Sequence, residues 1–147
     1  MPLFDLSKAQ GSDVQYLLHV ANGGDGNQKT IEQYETNQTK HLYKIKKGNC
    51  ILGAIGIEDL GKGEARILHI AVEHQWRRRG IGSKLIKGVA SLHGIVRFEA
   101  EISWDSAYFF RACGFKVWSL GSVDEENERE TLKTIWEEIP GQKNEVL

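Results

Sequence analysis

Residues 72–86 read VEHQWRRRGIGSKLI, which sets the densest positive charge of the chain directly against two glycines. An ordinary helix start uses Ser, Thr, Asp or Asn as its cap, and a solvated charge run has no use for glycine. A helix mouth opened by glycine does different chemistry. Its first four amide N–H groups lack internal partners and carry about half a positive charge from the aligned peptide dipoles. Gly80 and Gly82 remove side chains, so a ligand can reach the bare backbone. Arg77, Arg78 and Arg79 add cation density, and Ser83 adds a hydroxyl. The combination predicts an anion cradle suited to a pyrophosphate. Three adjacent arginines cannot all face one ligand, so main-chain amides are expected to carry most of the recognition. The spacing lacks the third glycine of G-x-G-x-x-G and the GK[ST] of a Walker loop.

The elements around this stretch must hold it in place. EARILHIAV (64–72) is a strongly apolar strand leading into the turn, and SKLIKGVASLHG (83–94) is a helix with Leu85, Ile86, Val89 and Leu92 at helical spacing, closed by Gly94. Upstream, MPLFDLS suggests a short first strand, and 12–21 a helix with Val14, Leu17, Leu18 and Ala21 on one stripe. ANGGDGN (21–27) is a loop, and 29–37 a short polar helix. HLYKIKK (41–47) and CILGAIGIEDL (50–60) form a hairpin through Gly48–Asn49, and Gly61–Gly63 turns into the apolar strand. Downstream, IVRFEAEIS (95–103) alternates, with Val96, Phe98, Ala100 and Ile102 on one face and Arg97, Glu99, Glu101 and Ser103 on the other. Residues 105–115 form a helix stopped by Gly114, and 115–123 and 128–139 are the last two strands. The order is strand, two helices, three antiparallel strands, helix, strand, helix, two strands. It predicts an α/β (α+β) fold with a mixed, mainly antiparallel sheet of six to seven strands. The unit at 64–102 supplies its parallel crossover.

The totals narrow the function. A chain of 147 residues without linker or repeat is expected to be one domain, 1–147. Nineteen basic against 20 acidic residues give a net charge of −1, which argues against a nucleic-acid or membrane-surface protein and makes the arginine cluster a local feature. Neither a signal pattern nor a membrane span is present, so a cytoplasmic protein is expected. Cys50 and Cys113 are expected to be buried free thiols. The five histidines show no metal-ligand spacing, so no metal is expected. Trp118 and Trp136 lie in apolar strands and are expected in the core.

The stretch Arg77–Gly82 matches R-x-x-G-x-G, and this resembles the acyl-CoA-binding motif of the GNAT superfamily of N-acetyltransferases. AEISWDSAYFFRACGF (100–115) is similar to a second pattern of small bacterial members, with Ala100, Glu101, Asp105, Phe109, Gly114 and Phe115 in matching places. The element order agrees over about residues 3–139. The resemblance implies a GNAT fold whose central parallel strands splay, with acetyl-CoA as co-substrate. Backbone of Ile70, Ala71 and Val72 would pair with the pantetheine arm, an amide of Ala71 or Val72 polarising the thioester carbonyl. Amides of Arg77, Arg78, Arg79, Gly80, Ile81, Gly82 and Ser83 would hold the pyrophosphate, and Lys84, Lys87 or an arginine the remaining phosphate.

Acetylation of an amine also needs a base, and an acid for the leaving thiolate. Relatives frequently carry that acid as a tyrosine at the position of Phe110, which would lie against the cofactor here with no proton to give. Tyr108 sits about 200° away around the helix and cannot substitute directly. Glu99 and Glu101 are the first candidates for the base, against the alternative that they are exposed or paired with Arg97 and Arg66. His69 is a further candidate, since relatives use histidine or glutamate on this strand. Trp104, Glu99 and Glu101 would line the acceptor site and favour a cationic amine, small or protein-borne. The expected activity is acetyl transfer from acetyl-CoA to a primary amine through a ternary complex. The alternative is a catalytically weak acyl-CoA sensor. The oligomeric state, including a homodimer, stays open.

Overall fold

The structure, a computed structural model, describes residues 4–21, 28–102, 104–124 and 129–137, with side chains described over 4–17, 31–102, 106–117 and 134–136. Its elements are β1 Asp5–Lys8, α1 Gly11–Ala21, α2 Gln28–Thr36, β2 Lys40–Lys47, β3 Cys50–Gly61, β4 Glu64–Val72, α3 Ile81–His93, β5 Arg97–Ile102, α4 Trp104–Ala112, β6 Lys116–Asp124 and β7 Arg129–Glu137. The strand order is β1-β2-β3-β4-β5-β7-β6. It is a mixed sheet, with β4 and β5 parallel and the remaining neighbours antiparallel. The glycine-rich stretch 22–27, Ser103, the acidic turn at 125–128 and the tail from 138 lie outside the described residues. No described helix is long and apolar enough to cross a membrane.

The chain divides into two compact units, Met1–Ile95 and Val96–Leu147. In the first, β1 to β4 form an antiparallel run. Both faces of β2 are used. Leu42 joins Val14, Ile31 and Ala54 in a core beneath α1 and α2, and Lys44, on that same side, reaches Asp13 at 3.0 Å. Tyr43 points the other way, to His93 at the end of α3. Asp13 performs two tasks, because its carboxylate also accepts from the amide of Gln10 in the manner of a capping box. The bond from Lys44, then that from Gln10, hold the Asp13 carboxyl below its ordinary range. The hairpin turn works through left-handed Gly48, at φ 61°, as its sequence predicts.

α3 lies on the opposite face from α1 and α2, burying Ile81, Leu85, Ile86 and Val89. Leu92 departs from expectation at 61 % exposed. It lies about 60° round the helix from Val89, at the margin of the buried stripe, and His93 takes the inward place beside Tyr43. Gly94 closes the helix in a left-handed conformation, its N–H donating to the Ala90 carbonyl.

In the second unit β5 pairs with β7 and β7 with β6. Phe98 lies opposite Trp136, and their rings are 5.7 Å apart. Thr134, fully buried, donates from its hydroxyl to the Lys116 carbonyl at 2.8 Å. Val96 corrects the expected alternation, being 48 % exposed, because it precedes the first paired residue, Arg97. The two thiols are a second correction. Cys50 is exposed and Cys113 half-buried, since one follows the tip of a hairpin and the other the end of a helix. Trp136 is in the core as expected, whereas the side chains of Trp118 and Trp104 lie outside those described.

Candidate active site

The apolar strand, the arginine-glycine turn and the amphipathic helix are contiguous parts of the first unit. β4 ends at Val72, a single 3₁₀ turn spans His74–Trp76, and α3 begins at Ile81, two residues earlier than its periodicity suggests. The chain turns through left-handed backbone at Arg78, φ 63°, and again at Gly80, φ 79°. Gly80 is the residue before the helix, and its carbonyl accepts the first helical bond from Lys84 N–H. No side chain caps this end, so its leading amides keep the unmet donors and partial positive charge of an open helix N-terminus. A Cβ built on Gly80 would meet nothing within 4 Å. The approach to those amides is therefore open at Gly80, whereas Gly82 is buried in the first turn of the helix.

The three arginines separate into different tasks. Arg77 donates from Nε to the Val72 carbonyl at 3.3 Å, tying the turn back to the strand it leaves. The guanidinium of Arg79 lies 5.1 Å from the centre of the Trp76 ring, and Lys47 lies 5.3 Å from the same ring. Such stacking fixes a flexible side chain at modest energy. Phe4 meets Trp76 edge-on at 6.4 Å and carries Lys84 over its own ring at 5.0 Å. Arg78 is exposed. Ser83 and Lys87 are half-buried on α3. Arg77 corrects one expectation, because its N–H is taken by the His74 carbonyl at 3.4 Å and does not face a ligand. The turn is held by its own groups, and the amides that follow, 78–83, are the ones at the open helix mouth.

Gly53 sets the height of this helix. A Cβ there would come within 2.8 Å of the Ala71 carbonyl oxygen and 3.1 Å of Leu85 Cδ1. With glycine, α3 packs close on β3 and its N-terminus is held near the end of β4. Ile70, Ala71 and Val72 pair with Ile55, Ala54 and Gly53 of β3.

His69 lies on the other face, beneath α2. It is opposite Gly56, and the register slips at that point, because Ile57 pairs with Ile67 and leaves Leu68 as an extra residue on β4. The His69 Nδ1 is hydrogen-bonded to the Tyr34 hydroxyl, and the two rings meet edge to face at 5.6 Å. Burial holds the His69 imidazole below its ordinary range, and the charge of Lys40 adds to the effect. Burial likewise pushes the Tyr34 hydroxyl well above the ordinary phenol range. Sequence reading missed Tyr34, since it lies on a polar helix 35 residues from its partner. The signal available was Gly56 inside an apolar strand, which marks a close approach.

Glu99, Glu101, Trp104 and Phe110 belong to the second unit. Glu99 is half-buried with Arg97 Nη1 at 3.6 Å from its carboxylate, the paired alternative weighed from sequence. Glu101 is exposed. Phe110 is 4 % exposed, and it packs edge-on against Phe109 at 5.3 Å and Phe115 at 5.1 Å. Tyr108, at 80 % exposed, points away from that cluster. Among the described residues no group of three or more His, Cys, Asp or Glu side chains could hold a metal ion.

These features agree with comparisons to known proteins. A family model described as "Acetyltransferase (GNAT) domain" matches residues 38–117. A curated relative from Bacillus methanolicus, an uncharacterized N-acetyltransferase, is 33 % identical over 66 residues, and the chain spans about half of its length (55 %) while the match takes 45 % of this chain. A solved acetyltransferase from Bacillus subtilis in complex with CoA superposes with a TM-score of 0.67 at 17 % identity, covering 92 % of this chain and 98 % of that one. A GNAT family acetyltransferase from Elizabethkingia anophelis with acetyl-CoA bound gives a TM-score of 0.65 at 22 % identity, covering 93 % and 99 %. A turn of arginines and glycine opening an uncapped helix thus sits inside a matching domain and a matching fold, and the chain belongs to the GNAT acetyltransferase family.

Proposed function

We propose that this chain is an acetyl-CoA-dependent N-acetyltransferase that passes the acetyl group directly to a primary amine within a ternary complex. The observation that carries the reading is the N-terminus of α3, uncapped by any side chain and approached past a glycine with open space around it. The residues fit the co-substrate: amides of 78–83 suit its pyrophosphate, and Lys84, Lys87 and Arg78 offer cations for a further phosphate. Acetyl-CoA supplies the thioester. Backbone of Ile70–Val72 is proposed to orient it, an amide of Ala71 or Val72 stabilising the negative charge that develops on the carbonyl oxygen. Solved relatives of the same fold carry CoA or acetyl-CoA.

The acceptor is proposed to be a cationic amine, small or at a protein terminus or lysine. One solved relative is a spermidine N-acetyltransferase from Vibrio cholerae, and Glu99, Glu101 and Trp104 remain the proposed acceptor contacts. The Glu99 carboxylate already has Arg97 Nη1 at 3.6 Å. Glu101 is exposed and so the more open of the two to an approaching ammonium group. A second reading has one observation in its favour. Phe110 stands in an apolar aromatic cluster where a relative's tyrosine acid would be, which suits an acyl-CoA sensor that turns over slowly.

Calorimetric titration with acetyl-CoA followed by a thiol-release assay on a panel of amines tests both. Binding with release of free CoA is expected. Binding without release on any amine would favour the sensor, and no binding would remove both readings.

A further inference from the structure

Tyr34 and His69 form a half-buried pair that none of the binding functions above requires. Three independent features build it. Gly56 in the middle of β3 leaves a notch, and a Cβ there would collide with the Tyr34 hydroxyl and ring. The bulge at Leu68 re-aims the strand immediately before His69. Tyr34 is packed against the core of Val14, Ile31, Leu42 and Ala54, which fixes its ring. A glycine costs strand stability, and here that cost admits a phenol to an imidazole.

We infer that Tyr34 and His69 act as a proton relay for amine acetylation, the Tyr34 oxygen taking a proton from the acceptor ammonium as its own proton passes to His69 Nδ1; this rests on the transferase reading above. The direction follows from the groups themselves. A phenol is a better donor than a neutral imidazole N–H, and an imidazole nitrogen a better acceptor than a phenol oxygen. The resting pair is therefore Tyr34 O–H donating to Nδ1, with the histidine proton on Nε2. Burial favours the neutral form of each partner, which leaves the Nδ1 lone pair in place to receive the Tyr34 proton.

One ammonium N–H bond breaks as a Tyr34 O–H bond forms, the former Tyr34 O–H bond breaks as Nδ1–H forms, and the positive charge moves from the amine to the imidazole. The freed amine forms the C–N bond while the C–S pair leaves with sulfur. The second amine proton goes to the thiolate, and the imidazolium returns its proton to solvent through Tyr34. Lys40 disfavours charge on His69, which speeds that return, and its ammonium is held by Gln33 Oε1 at 2.9 Å. Asp13 of α1, the helix that also packs on β4, is engaged with Lys44. Gly53, Ala54 and Ile55 of β3 bring no charge to the pair, and the acidic Glu58 is drawn towards Arg66.

Long-range proton–nitrogen spectra of the His69 ring in the ligand-free protein test the pair directly. The Nε2–H tautomer is expected, and Tyr34→Phe should mix the tautomers without unfolding the chain. In parallel, kcat/KM for spermidine and for a peptide with a free N-terminus should rise with pH through the imidazole titration. Tyr34→Phe should abolish that limb and lower kcat/KM by about 10²-fold, with acetyl-CoA affinity unchanged. Gly56→Ala, which displaces the Tyr34 ring, should reproduce both effects. A wild-type Nδ1–H tautomer would overturn the relay, as would a Tyr34→Phe enzyme that keeps its rate and pH limb. If acetyl-CoA binds but no amine is acetylated, the transferase reading falls and takes the relay with it. Transfer that survives Tyr34→Phe unchanged removes the relay alone.

Discussion

Gly80 is the residue where backbone conformation and ligand access meet. Its φ of 79° is left-handed, and nothing lies within 4 Å of where a Cβ would stand. Gly80→Ala therefore adds strain without a clash, about 1 kcal/mol, and it roughens the approach to the α3 amides. A lower denaturant midpoint together with weaker acetyl-CoA binding is expected, the first by urea titration and the second by calorimetry. The arginines should behave unequally. Arg79→Ala loses a stacking partner on Trp76 worth about 0.5–1 kcal/mol, whereas Arg78→Ala should stay within about 0.5 kcal/mol of the parent. Thermal melts of the two variants side by side check this ordering. The glycines and the cation cluster were legible in the sequence because glycine before a helix has few other uses. The separate tasks of the arginines were not legible, since they depend on the Val72 carbonyl and the Trp76 ring, which only the fold brings near.

At the scale of elements, close packing of α3 on β3 depends on Gly53. Gly53→Ala places a Cβ 2.8 Å from a backbone oxygen that cannot rotate away. The helix should lift, at a cost of about 1–3 kcal/mol, and hydrogen exchange of the α3 amides should quicken more than that of β2. Exchange that stays uniform across the first unit would show that α3 height is set elsewhere. The β4–turn–α3 unit was readable because its periods are clear: a continuous apolar run, then Leu85, Ile86 and Val89 at helical spacing. Leu92 and Val96 misled because each sits at an element's margin, where periodicity continues but the covering neighbour has ended. The Tyr34–His69 pair lay beyond pattern reading, since it joins α2 to β4 across 35 residues and through a glycine notch.

Among the described residues, two half-buried imidazoles have depressed proton affinity. Burial lowers His41, with His93 and Lys8 adding to it and Asp59 opposing. Burial lowers His69, with Lys40 adding. A histidine depressed in the folded state binds its proton more readily when unfolded, so protonation favours unfolding. Stability should therefore be full above the ordinary histidine range, around pH 6.5, and fall as pH drops below it. Urea midpoints between about pH 5 and 7.5 should rise with pH, and His41→Gln should flatten the slope. A midpoint independent of pH in the parent would contradict both assignments. Main-chain nitrogens at the mouth of α3 are proposed to hold the diphosphate of acetyl-CoA. The decisive measurement follows the backbone amide resonances of Arg78–Ser83 as acetyl-CoA is added. Saturable shifts concentrated on those amides are predicted, with a single affinity matching calorimetry. Binding that leaves them unmoved would contradict the account.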